Sequence, residues 1–132
     1  MTVMRTICLA AGLAAALQAR PVLAVEVLII VQRSPLAGFR HYDGAQVWPD
    51  LKVGDRLELV REPRNTYDAN AIRVDWRGRT LGYVPRRENA AIARQLDRGT
   101  ALEARVAGLR EHRNRLVRIE FEVVAPVAVS HR

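Results

Sequence analysis

The sequence predicts a mainly β fold with one or two short helices, and three observations point to it. Short stretches that alternate apolar and polar residues, or that are β-branched throughout, recur from Val25 onwards. Turn formers punctuate them, at Asp43-Gly44, Val53-Gly54-Asp55 and Arg77-Gly78. Only Arg86 to Arg98 carries apolar residues at helical spacing, with Pro85 before it and Gly99 after it. Many short antiparallel strands with one helix suggest a small closed or nearly closed β-barrel, OB-like or SH3-like.

Taken in order, "VEVLIIV" from Val25 to Val31 reads as a buried strand. "QRSPLAGFRHYDGAQVW" then reads as a long loop, whose Phe39, His41 and Tyr42 argue that it is ordered. Arg56 to Arg61 alternates, with Leu57 and Leu59 on one side. Ala71 to Trp76 alternates again, with Ile72, Val74 and Trp76 on one face and Arg73 and Asp75 on the other. Arg77-Gly78 makes a tight hairpin turn into "TLGYV", where Gly82 marks a bulge or a close backbone approach. Trp48 is expected to cover the barrel end.

The helix Arg86 to Arg98 turns Ile92, Ala93 and Leu96 inward and stops at Gly99. Two strands follow, one with Leu102, Ala104 and Val106 on a single face, one with Val117, Ile119, Phe121 and Val123. The tail from Pro126 is expected to fray.

The chain has 132 residues and a net charge of +7, so one basic domain is expected. Lys52 is the sole lysine among 21 basic residues; arginine donates in pairs and suits phosphate. The first 24 residues read as a cleavable secretory signal: an early Arg5, an apolar run from Ile7 to Leu17, and small residues before a cut after Ala24. The domain proper is then 25–125 and the tail 126–132. A real signal implies a periplasmic or secreted protein; without it a cytoplasmic one is expected. Cys8, the only cysteine, lies inside that segment, which leaves the rest with no disulfide, no thiolate chemistry and no lipid anchor. His41 and Asp43 make neither a metal site nor a triad, and no glycine-rich phosphate loop is present. The expectation is a non-catalytic protein without metal or cofactor.

The stretch "REPRNTYDANAIRV", residues 61–74, carries the most information. Asn65 and Asn70 suit a turn, since their side chains cap nearby backbone. Tyr67 and Asp68 are not needed for that. Together with "GFRHYDG", residues 38–44, and "LGYVPRREN", residues 81–89, this block resembles the HIRAN domain, across about residues 27–123. The chain is similar to the short stand-alone form of that domain found in bacteria.

The resemblance implies an OB-like barrel of HIRAN type that captures the 3′-hydroxyl end of single-stranded DNA, as the domain does in eukaryotic fork-remodelling ATPases. It points to one pocket built from Arg40, His41, Tyr42, Tyr67, Asp68 and Tyr83. The family often has two tyrosines where this chain has His41-Tyr42, and some relatives have histidine at Tyr83. Asp68 is expected to read the strand end, because a carboxylate repels a phosphate but accepts a hydrogen bond from a hydroxyl. Arg61, Arg64, Arg86, Arg87 and Arg113 are expected to form a phosphate track, and the protein to be a monomer. The competing expectation is an exported interaction domain of the same fold with a ligand other than nucleic acid.

Overall fold

The structure, a computed structural model, describes residues 26–111 and 117–127. Six strands form one sheet: β1 (Val27–Pro35), β2 (Arg56–Arg61), β3 (Ile72–Trp76), β4 (Arg79–Tyr83), β5 (Glu103–Glu111) and β6 (Val117–Val127). Their order is β1-β6-β5-β2-β3-β4, and each neighbouring pair is antiparallel. The sheet curls until its two edges touch. Ala37, just beyond β1, bridges Tyr83 on β4 through two backbone hydrogen bonds of 2.9 Å, one in each direction. The result is the nearly closed barrel that the strand pattern predicts, joined by one bridge at a seam.

Alternation places the core as expected. Leu57, Ile72, Val74, Val106, Ile119 and Phe121 face inward and are buried. The hairpin between β3 and β4 turns through two left-handed residues, Arg77 (φ 46) and Gly78 (φ 75), the geometry that matches strand twist. At the seam, a Cβ on Gly82 would lie 2.2 Å from the Ala37 carbonyl oxygen, so the close approach requires glycine. Gly82 also adjoins a register shift between β3 and β4. Both readings of that glycine hold.

The first strand corrects its expectation. It runs Val27–Pro35, and its apolar start is not buried: Ile29 and Ile30 are 56% and 51% exposed. The reason is register. Val27 to Ile29 pair with Val127 to Ala125, beyond Val124 where the β5–β6 pairing ends, and Ile30 lies opposite Val124 at the root of this extension. The start of β1 therefore belongs to a two-stranded ribbon beyond the core. A bulge between Ile30 and Gln32 then turns the strand, and Ser34 is buried.

Three further expectations change. The long loop is mostly structured: Gln32–Pro35 belong to β1, and Phe39–His41, α1 (Gly44–Val47) and Trp48–Asp50 form successive helical turns. Phe39, Val47 and Leu51 from these turns enter the core, and Trp48 packs edge-on against Phe39 as a half-buried cover. The single helix is split into a 3-10 turn, Arg86–Glu88, and α2, Ala90–Asp97. Asn89 lies buried at the joint. Gly99 ends α2 as expected, its N–H bonding to the Leu96 carbonyl and that of Thr100 to Gln95. Finally, Pro126 and Val127 are part of β6 rather than a frayed tail.

The faces expected to be polar are partly buried too, with charges paired. Asp75 is 6% exposed and takes a forked pair of hydrogen bonds from Arg73. Glu122 is 5% exposed and accepts from Arg33 on β1 and Arg105 on β5. The Arg33 hydrogen bond, followed by that of Arg105, holds the Glu122 carboxyl below the usual carboxylate range against the opposing effect of burial. Among the described residues no helix is long and apolar enough to cross a membrane. The expected signal segment, Cys8 and Arg113 lie outside the described residues.

Candidate functional site

An open cleft of about 420 Å³ lies beside the seam. It draws on separate parts of the chain: Ala37 and Tyr42 after β1, Asn65, Tyr67, Asp68 and Ala71 before β3, and Tyr83, Val84 and Arg86 around the end of β4. The seam makes this possible, because it brings the first and fourth strands side by side.

Tyr83 and Tyr42 form the aromatic wall, with ring centroids 5.6 Å apart and planes tilted by 52°. The Tyr83 hydroxyl donates to Glu62 Oε1 at 2.8 Å. Burial, then the bond to Glu62 and its charge, pushes the Tyr83 phenol up to about 12. The hydroxyl is thus a fixed donor to Glu62.

The turn facing this wall is built by short-range hydrogen bonds. The Glu62 N–H bonds to the Ala71 carbonyl and closes the base of the loop. Asn65 Oδ1 accepts from the N–H groups of Tyr67 (2.9 Å) and Asp68 (3.2 Å), the capping role expected of it. Asn70 contributes its main chain, its N–H donating to Asp68 Oδ1 at 2.9 Å. Asp68 Oδ2 accepts from the Asn89 side chain at 2.7 Å. Tyr67 packs on little of its own chain: it is 86% exposed, an aromatic ring held out at the cleft mouth.

Of the expected pocket, the structure brings Tyr42, Tyr67, Asp68 and Tyr83 together, with Arg86 from the expected track beside them. Arg40 and His41 are exposed on the helical turn before Tyr42, outside the cleft lining. Arg64 is exposed at the tip of the turn. Arg40, Arg64 and Arg86 have no ion pair among the described residues. Arg87 pairs with Glu88 at 3.4 Å while staying exposed.

Arg61 departs from its expected place in the track. Its guanidinium bonds to both Asp97 oxygens (3.0 and 3.2 Å) and to the Ala71 carbonyl (3.1 Å), and its side chain is 17% exposed. It straps the turn to α2. Two residues that hold the cleft were not singled out from sequence, Glu62 and Asn89. Glu62 had one available signal, a lone carboxylate between Arg61 and Arg64. Asn89 had none.

A curled antiparallel sheet with an aromatic cleft at its seam, a carboxylate in the cleft and arginines at its rim defines a small β-barrel domain with a ligand-sized surface site. The chain matches the family model of the HIRAN domain over residues 29–128 and belongs to that family. It is 35% identical over 72 residues to the Helicase-like transcription factor of Mus musculus, covering 54% of this chain and 7% of that protein. It is 34% identical over 82 residues to a Putative SWI/SNF-related matrix-associated actin-dependent regulator of chromatin subfamily A member 3-like 1 of Arabidopsis thaliana, covering 61% of this chain and 9% of that one. The chain thus spans less than a tenth of the length of these curated relatives.

Among solved structures, a protein from Lactobacillus plantarum is similar with a TM-score of 0.62 and 28% identity, covering 75% of this chain and 98% of that one. The HIRAN domain of human HLTF shares the fold, with a TM-score of 0.60 and 24% identity, covering 76% of this chain and 78% of that one.

Proposed function

We propose that this protein is a non-catalytic nucleic-acid-binding module whose cleft receives the 3′-hydroxyl end of a single DNA strand. The observation that carries this reading is Asp68, a half-buried carboxylate held by two neutral donors within a cleft lined by tyrosines and Arg86. An ionised carboxylate offers about four acceptor positions. The N–H of Asn70 and the amide of Asn89 occupy one on each oxygen. The remainder accept from a hydroxyl and repel a phosphate, so the cleft selects a bare end over a continuing strand.

The other groups supply affinity without sequence preference. The outstretched Tyr67 ring stacks on a base, worth ~1–3 kcal/mol. Arg86 and, further out, Arg64 and Arg40 neutralise phosphates, which makes binding weaken as salt rises. The Tyr42–Tyr83 wall bounds the other side.

The test is fluorescence anisotropy with 3′-hydroxyl and 3′-phosphate oligonucleotides at several salt concentrations. Tighter binding of the hydroxyl end, lost in Asp68→Ala, is expected. Equal affinity for both ends in the unaltered protein rejects end recognition.

The signal-like first 24 residues favour a second reading, an exported interaction domain with a different ligand. N-terminal sequencing of the natural protein tests this: a start at Val25 means export, and an intact Met1 means the segment is something other than a cleaved signal.

A further inference from the structure

We infer that Glu62 and Asn89 are the positioning residues of the cleft: Glu62 sets the aromatic wall and the Tyr67 turn, and Asn89 aims the Asp68 carboxylate. This rests on the reading of the cleft as a strand-end site.

Glu62 joins the two sides of the cleft. Its Oε1 accepts from the Tyr83 hydroxyl on one side (2.8 Å) and from the Asn65 amide on the other (3.2 Å). Its Oε2 accepts from Arg73 at 3.2 Å, and Arg73 is itself forked onto buried Asp75 of β3. The carboxylate is therefore anchored to the sheet through Arg73, and the cleft walls are anchored to the carboxylate. Asn65, oriented by Glu62, caps the N–H groups of Tyr67 and Asp68. Tyr83, oriented by Glu62, packs against Tyr42. One carboxylate thus connects all three sequence blocks of the site.

Asn89 is diverted from an ordinary task. It occupies the N-cap position of α2, where an asparagine side chain usually accepts from a first-turn N–H. Here no such side-chain bond forms. Its amide instead donates to Asp68 Oδ2 at 2.7 Å, while its carbonyl receives the Ala93 N–H at 2.8 Å and fixes the main chain to the helix. The residue is 1% exposed, so the donor is held in one direction. Its neutrality matters chemically. An arginine or lysine there would orient Asp68 equally well but cancel its charge, and with it the repulsion of phosphate. A neutral amide keeps the charge and fixes its direction.

The two roles have separable signatures in the full chain, read with labelled oligothymidylates ending in 3′-hydroxyl or 3′-phosphate. Asn89→Ser keeps a good helix-capping residue but is too short to reach Asp68. It is expected to lower the hydroxyl-to-phosphate affinity ratio about fivefold while sparing phosphate-end binding. Glu62→Ala is expected to weaken both ends together, about tenfold, with the ratio kept. It should also lower the Tyr83 ionisation midpoint from about 12 towards the ordinary phenol value, seen by phenolate absorbance. Glu62→Gln retains an acceptor for Tyr83 and Asn65 but turns a donor towards Arg73 and loses that anchor, so it should recover only part of the affinity lost in Glu62→Ala.

An unchanged ratio in Asn89→Ser overturns its part. Unchanged affinities in Glu62→Ala, or a Glu62→Gln protein as impaired as Glu62→Ala, overturn the other. If the unaltered protein binds neither oligonucleotide, the strand-end reading fails. The Tyr83 midpoint in Glu62→Ala then tests the Glu62–Tyr83 contact, and an unmoved midpoint overturns the part given to Glu62.

Discussion

Gly82→Ala tests the seam most directly. A methyl group at this position would sit 2.2 Å from the Ala37 carbonyl oxygen and 3.1 Å from Leu36 Cγ, both inside van der Waals contact. The carbonyl belongs to the bridge itself, so relief requires the bridge to part. Overpacking of this kind costs about 1–3 kcal/mol. Loss of the two bridge hydrogen bonds adds about 1 kcal/mol each, partly offset where water replaces them. A destabilisation of about 2–4 kcal/mol follows. For a domain of this size that lowers Tm by roughly 10–25 °C.

The control is Gly78→Ala. Gly78 has a positive φ of 75 but no neighbouring atom within 4 Å of where a Cβ would sit, so only dihedral strain of about 1 kcal/mol applies. Urea unfolding followed by circular dichroism, with midpoint and slope compared across the two variants, measures the difference. A Gly82→Ala protein no less stable than Gly78→Ala would refute the seam as a tight closure.

Three other outcomes are expected. Glu122 is held as a carboxylate below its ordinary value of 4.5, so its contribution is present above that range and lost as pH falls through the depressed value. Glu122→Gln should flatten the acid limb of the stability profile measured by urea unfolding, and parallel limbs would contradict this. Tyr83 has the opposite sign: its phenol is raised from 10.0 to about 12, so stability is retained below pH 10 and falls as pH rises between those values. Tyr83→Phe should remove that alkaline loss and the latest phenolate transition. Among the arginines, Arg86→Ala should reduce the slope of log affinity against log salt by about 0.7, as for one phosphate on a single strand. Arg61→Ala should leave that slope alone and cost about 1–2 kcal/mol of stability, because its guanidinium already holds Asp97 and the Ala71 carbonyl.

Legibility in the sequence followed the physics of each signal. β2, β3 and the Arg77-Gly78 hairpin were readable because one buried face forces alternation and a two-residue turn demands left-handed residues. The exposure of the start of β1 is not legible in the sequence, because an unbroken apolar run states hydrophobicity without stating what covers it. Ile29 shows this: the register with β6 carries it past the last β5–β6 pair. The turns from Phe39 to Asp50 are too short to display a period.

In the cleft, the motif that singled out Tyr67 and Asp68 also contained Glu62, but nothing local marks Glu62 as the acceptor for Tyr83, 21 positions away. Arg61 and Arg64 look interchangeable on paper. Only the placement of Asp97 on α2 distinguishes a strap from an open cation.

The seam also bears on how short a piece of the chain could carry the proposed cleft. Tyr67 and Asp68 sit within one short stretch, and a peptide of that stretch would contain both. It would lack Tyr83 and Tyr42, the Asn89 donor, and the Arg73–Asp75 anchor seated in the sheet. The cleft lining comes together where the chain after β1 meets β4, so the folded sheet is needed to assemble it. A ligand bound in the cleft as proposed would contact both sides of the single-bridge seam. Ligand binding should therefore show as a rise in the unfolding temperature of the whole domain, growing with ligand concentration.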